Sequence, residues 1–202
     1  MPVRRAWGAA LAVLMLLAGC RTVPVARPPS VPWPVPWPLH RAQLQERNHF
    51  ELRGRVAVAA GDQGFNARLR WVQDGARSQV ALAGPLGAGG LEVTADGGTL
   101  EVVTASGTRM QSDAARTELA SRLGFDPPIA SLRYWILGVP DPAAPAAETL
   151  DEAQQRLRSL EQDGWHIDYP GYVAVGGEWL PARLTLQRAD VRVRLLVDGW
   201  QS

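Results

Sequence analysis

Lysine is absent from this 202-residue chain, and cysteine occurs once, at Cys20. Every basic side chain is therefore arginine; alongside the many Ala, Gly and Pro residues this fits a GC-rich genome, and no mechanism is read from it. One cysteine excludes an intramolecular disulfide, so a fold outside the cytoplasm must be held by core packing alone. No apolar run is long enough to span a bilayer: the longest, from Trp7 to Ala18, falls well short of the ~20 residues a crossing helix needs. A net charge of +1 gives no argument for nucleic acid as a partner. Signatures of catalysis are missing as well, with no Gly-x-Ser-x-Gly, no Gly-x-x-x-x-Gly-Lys and no His-Glu-x-x-His. His40, His49 and His166 are scattered without metal-ligand spacing, and the carboxylates single out no acid/base couple. The sequence calls for neither an enzyme nor a cofactor.

Residues 1–19 read as a secretory signal peptide: Arg4 and Arg5, a short apolar run, then small residues before Cys20. Leu17-Ala18-Gly19-Cys20 resembles the lipobox of bacterial lipoproteins, which implies cleavage before Cys20, a diacylglycerol on its thiol and a third acyl chain on the new amine. Each buried CH₂ stabilises membrane binding by about 0.8 kcal/mol and one chain holds only marginally, so two or three chains make a firm anchor. The same resemblance implies the outer membrane of a Gram-negative cell. The residue after the cysteine is Arg21, not the aspartate that tends to retain lipoproteins in the inner membrane. Cleavage also removes Arg4 and Arg5, so the one excess positive charge becomes one excess negative charge.

From Val23 to Pro38 prolines are so dense that an extended polyproline II tether is expected, at about 3.1 Å per residue. A ligand for a proline-recognition domain, contacted through Trp33 and Trp37, is the alternative. Leu39 to Asn48 reads as a helical or irregular lead-in, so residues 20–48 form tether and lead-in and residues 49–202 a single domain.

The body alternates with period two. Phe50, Leu52, Val56 and Val58 share one face while Glu51, Arg53 and Arg55 share the other; Phe65, Ala67, Leu69 and Trp71 repeat the pattern, and Val80 with Leu82 continue it. Further strands follow around Leu91 to Ala95, Leu100 to Thr104, Trp165 to Tyr169, Ala182 to Arg188 and Val191 to Val197, joined by Gly/Asp turns. Two short helices are expected mid-chain, one capped by Ser112 and closed by Gly124, the other capped by Ser131 before Gly138. Val139 to Ala147 reads as a loop, and Thr149 to Gln162 is ambiguous, with strand favoured near its end. A sheet of roughly 10–11 antiparallel strands must curl, and around two helices it encloses either a filled core or an apolar cavity.

Several stretches carry a family resemblance: Leu52-Arg53-Gly54-Arg55-Val56-Ala57, Arg70-Trp71, Pro85-Leu86-Gly87, Leu132-Arg133-Tyr134-Trp135-Ile136-Leu137-Gly138-Val139-Pro140, Gly164-Trp165 with Tyr169 and Tyr172, Leu180-Pro181, and Asp198-Gly199-Trp200. In this order they resemble the LolB family of outer-membrane lipoprotein receptors, over about Phe50 to Trp200. That resemblance implies a mainly β fold, an incomplete half-open antiparallel β-barrel covered by helices, whose apolar cavity accepts the acyl chains of triacylated lipoproteins. It implies a periplasmic carrier of similar, LolA-like fold as partner, outer-membrane lipid as destination, a monomer, and transfer without nucleotide hydrolysis. Leu86, flanked by Pro85 and Gly87, would be the loop residue that enters the membrane; Gly84 and the extra glycines depart from the family pattern there. Trp71, Trp135, Phe65, Leu69 and Leu82 are the candidate cavity residues. Two other classes stay open at this point, a lipoprotein that holds a free lipid, glycolipid or peptide, and an envelope hydrolase.

Overall fold

The computed structural model describes residues 35–85 and 89–201. The chain forms α1 (Trp37–Glu46), β1 (His49–Ala60), β2 (Gln63–Asp74), β3 (Arg77–Ala83), β4 (Leu91–Asp96), β5 (Thr99–Thr104) and β6 (Arg109–Gln111). After these come α2 (Ser112–Leu123), α3 (Ile129–Trp135), β7 (Ala146–Asp151), β8 (Arg156–Gln162), β9 (Trp165–Val175), β10 (Glu178–Arg188) and β11 (Val191–Gln201). All eleven strands belong to one antiparallel sheet in the order β6-β5-β4-β3-β2-β1-β11-β10-β9-β8-β7. It does not close, because β6 and β7 are its two edges.

Alternation decides which side of this sheet is buried. In β1 and β2, Leu52, Val58, Leu69 and Trp71 are buried and the arginines between them are exposed, as a pleat with one covered face requires. The helices supply the cover. α2 buries Ala115, Leu119 and Leu123, a stripe at four-residue spacing, against Leu91, Val93, Leu100 and Val102. A second, larger cluster gathers Trp135, Ile136 and Leu137 with Leu160, Trp165, Ile167, Tyr169, Leu180 and Leu184.

Gly54 is forced by the central pairing. A Cβ there would collide with the backbone carbonyl oxygen of Leu196 on β11, so only glycine lets the two strands approach where the register shifts.

The structure departs from the sequence reading in several places. Most of the Val23–Pro38 tether and all of residues 1–19, with Cys20, lie outside the described residues, but Trp37 and Pro38 are helical. Proline is tolerated in a first turn, whose N–H groups have no intrahelical partner in any case. Ser112 does not cap α2: Gln111 holds that position, without a side-chain cap bond, while Gly124 ends the helix in the left-handed conformation as expected. Ser131 lies inside α3 and its hydroxyl donates to Asp141 Oδ2 at 2.8 Å instead of capping. The ambiguous Thr149–Gln162 segment resolves into the end of β7 and all of β8, and β7 takes the last two residues of the expected loop.

Candidate functional site

Between the two core clusters an apolar cavity of about 130 Å³ remains unfilled and opens to solvent. The sheet contributes Val56, Val58, Leu69, Trp71, Val93 and Leu195 among others, and the helical side contributes Leu119, Leu123, Ile129, Leu132 and Ile136. Every one of its lining residues is apolar. A polar or charged ligand would lose its hydration there with nothing in exchange, whereas a hydrocarbon chain leaves water at a gain of about 0.8 kcal/mol per CH₂.

Four of the expected cavity residues, Phe65, Leu69, Trp71 and Leu82, line this space, and Trp135 does not. Trp135 is fully buried, and its indole N–H donates to Gln162 Oε1 at 2.7 Å. Gln162 is itself the hub of a buried polar knot. Its Oε1 also accepts from the Asp141 backbone N–H at 2.9 Å, and its Nε2 donates to the carbonyls of Asp141 and Ala144, both at 2.8 Å. The Tyr169 hydroxyl donates to the Trp135 carbonyl at 3.0 Å, and complete burial pushes the Tyr169 phenol well above its ordinary pKa. Burial likewise raises Tyr172, whose hydroxyl donates to the Leu157 carbonyl at 2.7 Å. Trp135 thus holds α3 to β8 and β9, and so fixes the helix whose other face, Ile129, Leu132 and Ile136, meets the cavity.

The residues after α3 serve the same attachment. Gly138 adopts φ +79°, and a Cβ there would stand 3.0 Å from Pro181 Cγ and 3.3 Å from the Tyr172 hydroxyl. No other residue fits both the backbone and the space. The Trp-Ile-Leu-Gly-x-Pro stretch from Trp135 to Pro140 is therefore a clasp for the helical cover, one residue of which, Ile136, reaches the cavity.

Trp165 joins the two regions. It lines the cavity, its ring centroid lies 5.7 Å from that of Phe125 and 6.2 Å from that of Trp135, and the Arg188 guanidinium sits 4.8 Å over it. The sequence reading did not single out the helical residues. Ile129, Leu132 and Ile136 recur at spacings of three and four, as do Leu119 and Leu123 at four, and that periodicity was the available signal. Of the three residues expected to form an insertion loop only Pro85 is described, and it is exposed two positions beyond β3; Leu86 and Gly87 lie outside the described residues. Among the described residues no three His, Cys, Asp or Glu side chains are placed to hold a metal, and no helix is long and apolar enough to cross a membrane.

A family model described as "Outer membrane lipoprotein LolB" matches residues 48–200. The chain belongs to the LolB family. Outer-membrane lipoprotein LolB of Pseudomonas aeruginosa is 35% identical over 165 residues, covering 82% of this chain and 80% of that protein. LolB of Pseudomonas savastanoi pv. phaseolicola is 34% identical over 168 residues, covering 83% and 82%. Among solved structures, a LolA superfamily protein of Nitrosomonas europaea matches with a TM-score of 0.54 at 12% identity, over 83% of this chain and 94% of that one. A DUF1329 family protein of Desulfovibrio piger matches equally well, with a TM-score of 0.54 at 7% identity. At such identities the likeness is one of fold alone.

Proposed function

We propose that this LolB family member is an outer-membrane-anchored receptor which takes lipoproteins from a LolA-like periplasmic carrier and delivers them into the membrane. The cavity carries this reading: its lining is apolar throughout, so what it can hold is hydrocarbon, and the cargo of a lipoprotein-localisation protein ends in acyl chains. Acceptance needs no covalent step. Acyl chains pass from one apolar compartment to another down an affinity gradient, and then into the bilayer, whose acyl interior is the deeper sink.

The division of labour follows the chain. Signal cleavage before Cys20 and acylation of that cysteine anchor the protein, the proline-rich stretch before α1 spaces the body from the membrane, the body, with α1 packed into its core, holds the cargo, and Leu86 on the β3–β4 loop enters the bilayer during release. Site-specific photo-crosslinking tests the central step. With a photoreactive residue in place of Phe65, addition of the loaded carrier is expected to yield an adduct with triacylated lipoprotein. Adducts with free phospholipid alone, at every cavity position tried, would replace cargo acceptance by free-lipid binding.

A further inference from the structure

The sheet face turned away from the cavity is rich in arginine where β10, β11, β1 and β2 lie side by side. Arg183 stands opposite Leu196, Leu196 opposite Arg55, Arg55 opposite Arg68, and Arg68 opposite Ala83. Directly opposed residues point to the same side, so this is one row across five strands. In the neighbouring rows Arg194 stands opposite Ala57, and Arg192 opposite Ala59.

Like charges opposed across a strand pair destabilise a sheet unless something neutralises them. Part of this face is neutralised from within. Glu51 binds Arg53 and Arg70 at 2.8 Å each, and the Arg70 hydrogen bonds hold its carboxyl below the usual range; Asp198 binds Arg55 at 2.8 Å. Arg68, Arg183, Arg192 and Arg194 are exposed, and no described carboxylate pairs with them; Arg192 reaches only the Gln187 side-chain oxygen, at 3.4 Å. On the far side of β10 the charge reverses, where Glu161 and Asp168 bracket His166. The uncompensated positive stretch therefore ends at β10 on one side.

On its other side it runs into the β3–β4 loop. Ala83 closes both the row and β3, and Gly84 and Pro85 line the same open hollow as Arg55, Arg68, Arg183 and Arg194. The side chains between the arginines are Ala57, Asn66, Thr185 and Leu196, with no aromatic among them. Protein partners are gripped mainly through buried aromatic anchors, which this face lacks. Guanidinium groups, by contrast, match phosphate oxygens in forked pairs.

We infer that this face docks on the phosphate headgroups of an anionic phospholipid bilayer, with Gly84 and Pro85 at the edge of the contact. The inference rests on the proposed function in one respect, that the protein works at such a bilayer. Each arginine near an anionic surface contributes about a fivefold gain in partitioning, so two together contribute about 30-fold.

The test uses the chain from residue 20 onward with Cys20→Ala, so that neither the signal segment nor its own lipid dominates, in co-sedimentation with vesicles. Binding is expected to vesicles of phosphatidylglycerol mixed with phosphatidylcholine, to weaken as salt screens the charges, and to be far weaker with phosphatidylcholine alone. Arg183→Gln with Arg194→Gln should reduce partitioning by about 30-fold at an unchanged thermal midpoint. The salt series on the unsubstituted face needs no folded variant. Equal binding to both vesicle types, or salt-independent binding, overturns the inference. So does wild-type partitioning of the double variant, and if that variant also takes up less cargo from the carrier, the face meets a protein instead. Uptake of a fluorescent fatty-acyl probe, measured on the same samples, reports the cavity separately: lost uptake with retained headgroup binding counts against the proposed function and leaves this surface standing.

Discussion

The indole N–H of Trp135 and the side-chain oxygen of Gln162 lie 2.7 Å apart, both groups buried, and that single bond joins helix α3 to strand β8. The cavity depends on it. α3 supplies Ile129, Leu132 and Ile136 to the lining, and the Gln162 amide also holds the chain at Asp141 and Ala144 just after the helix. Gln162→Leu leaves the Trp135 and Asp141 N–H groups and the Asp141 carbonyl without partners in a dry interior, and the Ala144 carbonyl without one at its edge. At about 1–3 kcal/mol for each stranded group, a loss of at least about 3 kcal/mol in urea unfolding is expected, with weakened acyl-probe binding. A change within 0.5 kcal/mol or so, the range of a neutral surface substitution, would sink the clasp assignment.

Two glycines should tolerate no side chain. Gly54→Ala drives a Cβ into the Leu196 carbonyl at the seam between β1 and β11, and Gly138→Ala adds a strained backbone to a crowded site beside Pro181 and Tyr172. Both are expected to lower the thermal midpoint, Gly54→Ala more, because its obstacle is backbone that cannot swing away. Differential scanning calorimetry of the pair, with Gly199→Ala as a control whose added Cβ meets nothing and whose backbone is not left-handed, checks both size and order.

Placing charge in the cavity should abolish loading without unfolding the protein. Leu82 is half-buried, lines the cavity and packs against both core clusters, so Leu82→Glu can keep its carboxylate hydrated while making the lining hostile to hydrocarbon. Acyl-probe affinity is expected to fall by more than about tenfold, which corresponds to 1.4 kcal/mol. Leu82→Met, nearly equal in volume and apolar, should stay close to wild type in the same titration.

Acceptance and delivery should separate at the β3–β4 loop and at the anchor. Leu86→Glu is expected to leave transfer from carrier to receptor intact and to impair release into liposomes. Cys20→Ala should free the protein from the outer membrane while cargo binding is retained. Loss of acceptance in either variant would contradict the split between anchor, cavity and loop.

His166 carries the one clear histidine shift: its bond to Glu161, helped by Asp168 at 3.1 Å, raises its pKa above the ordinary 6.5. The sign follows from linkage. A histidine that binds its proton more tightly when folded contributes stability that is complete below about pH 6.5 and disappears as pH rises through the raised value. The difference in thermal midpoint between wild type and His166→Gln should therefore shrink on going from mildly acidic to mildly alkaline buffer. A difference that grew with pH would reverse the assignment.

Strand alternation made most of this fold legible. Where one face is buried, a one-residue slip exposes the whole apolar set, so the alternation of Phe65, Ala67, Leu69 and Trp71 is enough by itself to set the inward face of β2. The Asp163-Gly164 turn was equally plain, since both residues adopt the positive φ that a tight hairpin wants. β7 was not legible: Ala146 to Asp151 is an edge strand with a mostly polar, half-exposed pattern, and only its pairing with β8 makes it a strand. The same limit applied at Trp135. Core and cavity wall are both apolar, and what separates Trp135 from Trp71 is a hydrogen bond to Gln162, 27 positions downstream, that periodicity does not carry.

The order of the strands has a consequence for how such a protein comes into being. β1 and β11, first and last in the chain, are neighbours at the centre of the sheet, and Val56 and Leu195, which face each other's strands there, both line the cavity. A chain emerging N-terminus first therefore waits for its final strand before either wall is whole. Until then β1 exposes an unpaired apolar edge, the kind of surface that recruits other chains. The apolar compartment is complete only once β11 has joined β1, so a chain still lacking its last strand has one wall of the pocket open.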